Sequence, residues 1–137
     1  MINQLANLNW MGVFIAFVAY FLLGALWFTL FFSKPYKISL GRNNETMKPG
    51  AIFILGPAIC SLVITIASAV FLYALNIQSI SGAIEFAAIV GIGYLVANTV
   101  NIAINPNIPR PILYGVISGA YHLTGILLVS IIVVAMK

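Results

Sequence analysis

The chain holds a single histidine, His122, and it stands deep inside an apolar run rather than in a loop. An imidazole in that position can hold a proton, pass one on, ligate a metal, or lock two helices by donating one hydrogen bond and accepting another. An ionisable group inside a membrane is a functional candidate on physical grounds alone. The residues placed to join it are neutral and polar: Tyr20, Thr65, Tyr94, Asn98 and Asn101. Around them no standard catalytic set is complete. With two acidic residues and one cysteine, Cys60, the sequence offers no carboxylate pair, no Cys-x-x-Cys and no disulfide framework. It also has no His-x-x-x-His and no glycine-rich phosphate loop. These residues specify no metal and no cofactor, and the expectation is a protein that is not an enzyme.

What must position them is read from composition. Hydrophobic residues make up 63% of the 137-residue chain and charged residues 6%, too few to give a soluble domain its charged shell. Four apolar runs, 10–32, 51–75, 82–104 and 112–136, are each long enough as helix to cross about 30 Å of hydrocarbon with some tilt. They are too long and too continuously apolar for barrel strands. The expected fold is all-α: an integral membrane bundle of four transmembrane helices in one domain, residues 1–137.

Lys34, Lys37, Arg42 and Lys48 fall in connector 33–50 and Arg110 in connector 105–111, against Lys137 alone at the other side. The positive-inside rule therefore makes both connectors cytoplasmic and both termini external. The same topology accounts for the net charge of +4 without nucleic acid. Trp10 reads as the outer interface anchor of the first span, Trp27 and Tyr36 as its inner ones. Glu85, near the outer end of span three, reads as a carboxylate that reaches headgroup water and favours the helix N-terminus. Pro57 should bend span two and free a carbonyl near Phe53 that a neighbouring helix must cover. A turn through Asn43 and Asn44, closed by Pro49, is expected in the first connector. Asn44-Glu45-Thr46 matches a glycosylation acceptor on the wrong side to be used.

In lipid, helices associate through small residues and interhelical hydrogen bonds, so small and polar positions mark the inward faces. In span three Ala87, Gly91, Tyr94, Asn98, Asn101 and Asn105 recur at helical spacing as one stripe. Span four offers Gly115, Ser118, Gly119, His122 and Gly125, span two Pro57, Ser61, Thr65 and Ser68, and span one Gly12, Ala16, Tyr20 and Gly24. Counting about 1.5 Å per residue from the span midpoints brings Tyr20, Thr65, Tyr94 and His122 to one layer near the bilayer centre, with Asn98 slightly inside it.

Several separated motifs carry a resemblance. Asn9-Trp10, Leu23-Gly24-Ala25-Leu26-Trp27-Phe28, Phe32-Ser33-Lys34-Pro35-Tyr36 with Gly41, and Gly119-Ala120-Tyr121-His122 together resemble the small four-span prokaryotic membrane proteins catalogued as domain of unknown function seventeen sixty-one. The resemblance runs along essentially the whole chain. It implies a four-helix membrane fold in a prokaryotic inner or cytoplasmic membrane and implies no activity. It draws attention to Gly24, Trp27, Tyr121 and His122, and so adds Tyr121 to the candidate polar layer.

Three readings remain open at the level of sequence. The first is a non-enzymatic accessory, assembly or structural subunit in the lipid bilayer, packed into a homo-oligomer or a larger membrane complex. The second is a small homo-oligomeric transporter or channel with a polar path around His122, Asn98 and Asn101. The third is a binder of lipid or cofactor through His122, for which the chain supplies no second ligand.

Overall fold

The computed structural model describes residues 1–42 and 50–137. The expected turn through Asn43 and Asn44, the Asn44-Glu45-Thr46 acceptor, Lys48 and Pro49 lie outside the described residues. Among the described residues the regular structure is helical. After a 3-10 turn, Ile2–Ala6, come α1 (Trp10–Phe31), α2 (Ser33–Ser39), α3 (Ile52–Ala74), α4 (Ile80–Ala103) and α5 (Pro111–Ala135). Four of these, α1, α3, α4 and α5, are long and apolar enough to cross a membrane.

Local chemistry sets their ends. Asn9 caps α1, its side-chain oxygen accepting from the amides of Met11 and Gly12, and Ser79 caps α4 by accepting from Gly82; both satisfy amides that the first turn leaves unpaired. Pro111 opens α5 at a position where its missing N–H costs nothing. Between α3 and α4, Asn76 takes the left-handed conformation at φ 53°, which asparagine tolerates better than most residues.

Helix α5 is the centre of the molecule. All of the other spanning helices pack on it, α4 most extensively and α1 next, and α1 also packs on α3. Helix α4 leans on α5 and, although a short turn joins it to α3, those two have little contact with each other. Close approach at α5 depends on absent side chains. A Cβ built at Gly91 of α4 would stand 2.7 Å from Leu123 Cδ1, and one at Gly119 of α5 would stand 3.3 Å from Val96 Cγ1. At Gly125 a Cβ would fall within the ring of Tyr20.

Helix α4 departs from regular geometry at its middle, where Gly91–Val96 forms a π-helical turn. Such a turn accommodates about one residue more than an α turn and rotates everything beyond it by roughly 100°. Ala83, Ala87 and Gly91 face α5 before the turn; beyond it Thr99 and Ala103 are the buried positions. The expected stripe therefore splits. Ala87 and Gly91 are inward, but Tyr94 is 71% exposed and Asn98 and Asn101 are exposed as well. A second π turn, Trp27–Phe31, ends α1.

The hydrogen-bonded ends of the bundle differ. At the end that carries the termini, Asn9 Nδ2 donates to the Met136 carbonyl at 2.6 Å, and Asn9 N donates to the Tyr73 hydroxyl. Lys137 Nζ donates to the carbonyls of Leu72 and Ile77 at 3.1 and 2.8 Å, above the Tyr73 ring. At the other end the amide of Arg110 donates to the Ser39 carbonyl, fastening the two connectors to each other. The beginning of α3 stands apart, with Ile52, Phe53, Ile54, Leu55 and Ile59 all exposed. The expectation that a neighbouring helix covers the backbone near Phe53 is therefore not met within one copy, because the inward side of α3 begins only at Ser61.

Candidate functional site

The polar centre of the bundle lies between α1 and α5. Tyr20, fully buried, points across Gly125, and its hydroxyl stands 2.7 Å from His122 Nδ1. According to the imidazole tautomer, the phenol donates to Nδ1 or accepts from Nδ1–H. The pair can therefore hold a proton between an oxygen and a nitrogen, and it ties the first spanning helix to the last.

Aromatic rings surround this pair. Tyr121 is buried with its ring centroid 5.3 Å from Tyr20, 5.1 Å from Phe28 and 4.8 Å from His122. Its hydroxyl lies over Gly24, where a Cβ would meet it at 2.8 Å. Trp27 was expected as an interface anchor, yet it is half-buried and its indole N–H donates to the Ile117 carbonyl at 3.1 Å. The Trp27 ring packs on Phe32 at 4.6 Å. Trp27 lies at the start of the π turn that ends α1. Tyr36, the other expected inner anchor, turns from α2 toward the bundle and packs on Phe28 and Tyr114 at 4.7 and 5.8 Å. Burial, with Tyr114 beside it, pushes the Tyr36 phenol up from 10.0 to about 12. Trp10 is exposed at the terminal end of α1, and Glu85 is exposed on α4.

The remaining polar candidates do not converge on His122. Thr65 is buried but spends its hydroxyl on the Ser61 carbonyl of its own helix. Tyr94, Asn98 and Asn101 point away from α5, so the expected layer of Tyr20, Thr65, Tyr94 and His122 reduces to the Tyr20–His122 pair with Tyr121. The cause is the π turn, which composition did not signal. Two hydroxyls on α5, Ser118 and Ser130, are buried without a hydrogen-bond partner among the described residues; Ser118 is one turn before His122.

No group of three or more His, Cys, Asp or Glu residues that could hold a metal occurs among the described residues. Cys60 is exposed on α3. A groove of about 380 Å³ between α4 and α5 is lined by apolar side chains and glycines, Val96, Val100 and Gly119 among them, and offers no group for chemistry. Sequence reasoning passed over Tyr114 and Tyr73, and named Phe28 and Asn9 only as members of motifs. Of these only Asn9 carried a signal, as a helix-capping residue directly before an apolar run.

Four helices long and apolar enough to cross a membrane, the first and last joined by a phenol–imidazole pair, make this an all-helical, multi-pass membrane protein. The profile of the family described as protein of unknown function (DUF1761) matches residues 11–134, and the chain belongs to that family. No curated protein and no solved structure matches it.

Proposed function

We propose that this protein is a non-enzymatic accessory or assembly subunit that works by binding other transmembrane helices, as a homo-oligomer or within a larger membrane complex. The observation that supports this reading is the outward face of α4. Asn98 and Asn101 are exposed on the last two turns of the membrane-length helix α4, and their carboxamides have no hydrogen-bond partner among the described residues. An interhelical hydrogen bond in lipid is worth about 0.6–2 kcal/mol, so such groups favour association over solitary exposure to acyl chains. A carboxamide both donates and accepts, which makes a pair of asparagines complementary to a second copy of itself. The uncovered beginning of α3 adds apolar area to the same argument.

We take both termini as external, from the charge bias of the connectors, and the membrane as a prokaryotic cytoplasmic or inner membrane. The alternative of a homo-oligomeric transporter or channel draws on the Tyr20–His122 pair. Its polar path would have to be completed between copies, because Asn98 and Asn101 lie on the side of α4 away from α5.

Mass measurement after extraction in a mild detergent tests the proposal. The expected result is an assembly heavier than 14.8 kDa that dissociates when Asn98→Leu and Asn101→Leu are combined and persists in His122→Ala. A monomer in the unmodified protein, or an assembly indifferent to the two asparagine changes, would overturn it. Proton or solute flux in proteoliposomes that is lost in His122→Ala would replace it with the transporter reading.

A further inference from the structure

At the connector end, the π turn that closes α1 and the helix α2 meet at an angle through Phe32, whose backbone is neither helical nor extended (φ −120°, ψ 18°). One side of α2 is committed to the bundle: Tyr36 packs on Tyr114, and Ser39 is fully buried with its carbonyl accepting from Arg110. The other side is open. There a groove of about 580 Å³ has Leu30, Phe31 and Ile38 along its apolar flank and Ser33, Lys34 and Lys37 along its polar one. Lys34 and Lys37, one helical turn apart, form no ion pair with any described residue, and the Ser33 hydroxyl has no hydrogen-bond partner among them.

The groove lies where the apolar part of α1 stops, which is the level of lipid headgroups. Two ammonium groups and a hydroxyl above an apolar flank match a molecule that is anionic at one end and hydrocarbon at the other. We propose that this groove binds an anionic glycerophospholipid, with the phosphate between Lys34 and Lys37 and an acyl chain along Leu30 and Phe31. A neutral phospholipid lacks the net charge to match two lysines. A free phosphate would use the lysines and leave the apolar flank idle. The site does not depend on the assembly role proposed above, since it uses neither α4 nor the beginning of α3.

Lipid retention read by native mass spectrometry tests it. The purified protein is titrated with phosphatidylglycerol, with phosphatidylcholine of the same chains, and with glycerol phosphate as the bare headgroup. The expected result is one phosphatidylglycerol bound in preference to phosphatidylcholine, with glycerol phosphate failing to displace it. Each basic residue near an anionic lipid is worth about fivefold in affinity, so Lys34→Gln with Lys37→Gln should weaken binding by about twenty-five-fold. Arg110→Gln removes a charge from the same end of the bundle and should leave affinity unchanged, and Lys34→Arg with Lys37→Arg should retain it. Equal affinity for phosphatidylcholine, displacement by glycerol phosphate, or a loss in Arg110→Gln as great per charge as in the lysine double variant would each overturn the proposal. Thermal unfolding in lipid-free detergent checks that the variants fold. Should the glutamine pair fail to fold, the arginine pair decides the matter, since loss of phosphatidylglycerol binding with both charges kept would overturn the site.

Discussion

Tyr20 is held by two different devices, a hydrogen bond to His122 and the empty side-chain position of Gly125. They make separable predictions. Gly125→Ala forces either the ring or the helix to move, an overpacking cost of about 1–3 kcal/mol. It should lower the melting temperature in detergent more than Gly119→Ala, whose neighbour is the end of a valine side chain. A tolerated Gly125→Ala would mean that Tyr20 does not cross at that point. Tyr20→Phe keeps the ring and deletes the hydroxyl, leaving a half-buried imidazole nitrogen without its partner at a cost of about 1 kcal/mol. In a double-mutant cycle with His122→Phe the two losses should be non-additive, and strict additivity would deny the bond. Tyr36 gives a pH signature. Its folded-state value, about 12, lies above the ordinary 10.0, so its contribution to stability is complete below pH 10 and disappears as pH rises toward 12. Tyr36→Phe should therefore flatten the alkaline decline in stability over that window, and an unchanged slope would place the phenol in water. At this scale the sequence was partly legible. His122, Tyr20 and the close-approach glycines stand out by type and spacing. The role of Trp27 does not, because an indole near a helix end looks the same whether it meets headgroups or, as here, a carbonyl of α5.

At the scale of elements, a stripe along α4 presupposes one constant period, and the period is not constant. Gly91 stood out as a packing position, and it is one, with Leu123 and Ile126 against it, but its spacing gave no sign of the π turn that begins there. Existence and length of the four spanning helices follow from continuous hydrophobicity, which no single turn can mask. The direction in which each side chain points is a cumulative angle and fails after one irregularity. This gives a test. Deleting Gly93, whose side-chain position is open, should let the π turn relax to an α turn while the contacts on both sides keep their register. Deleting Ala88 from the regular part rotates everything beyond it by about 100°. The first variant should lose much less thermal stability than the second. Equal losses would count against the π turn as the source of the split stripe.

For the molecule as a whole, the proposed orientation rests on the charge bias of the connectors. In a Cys60→Ser background, a cysteine at Asn107 should be shielded from an impermeant thiol reagent added outside intact cells, and one at Ser79 should react. Both positions are exposed in the bundle, so access reports the side of the membrane rather than burial, and the reverse labelling would invert the proposed topology. The asymmetry of the packing has a temporal meaning. Synthesis runs from the N-terminus, so α1, α3 and α4 leave the ribosome before the helix on which all of them rest exists. Until α5 enters the bilayer, Tyr20 has no imidazole to meet and α4 has almost nothing to lean on. Arrival of α5 is therefore the closing step of folding, and during the interval before it α1 and α3 have each other while α4 stands alone.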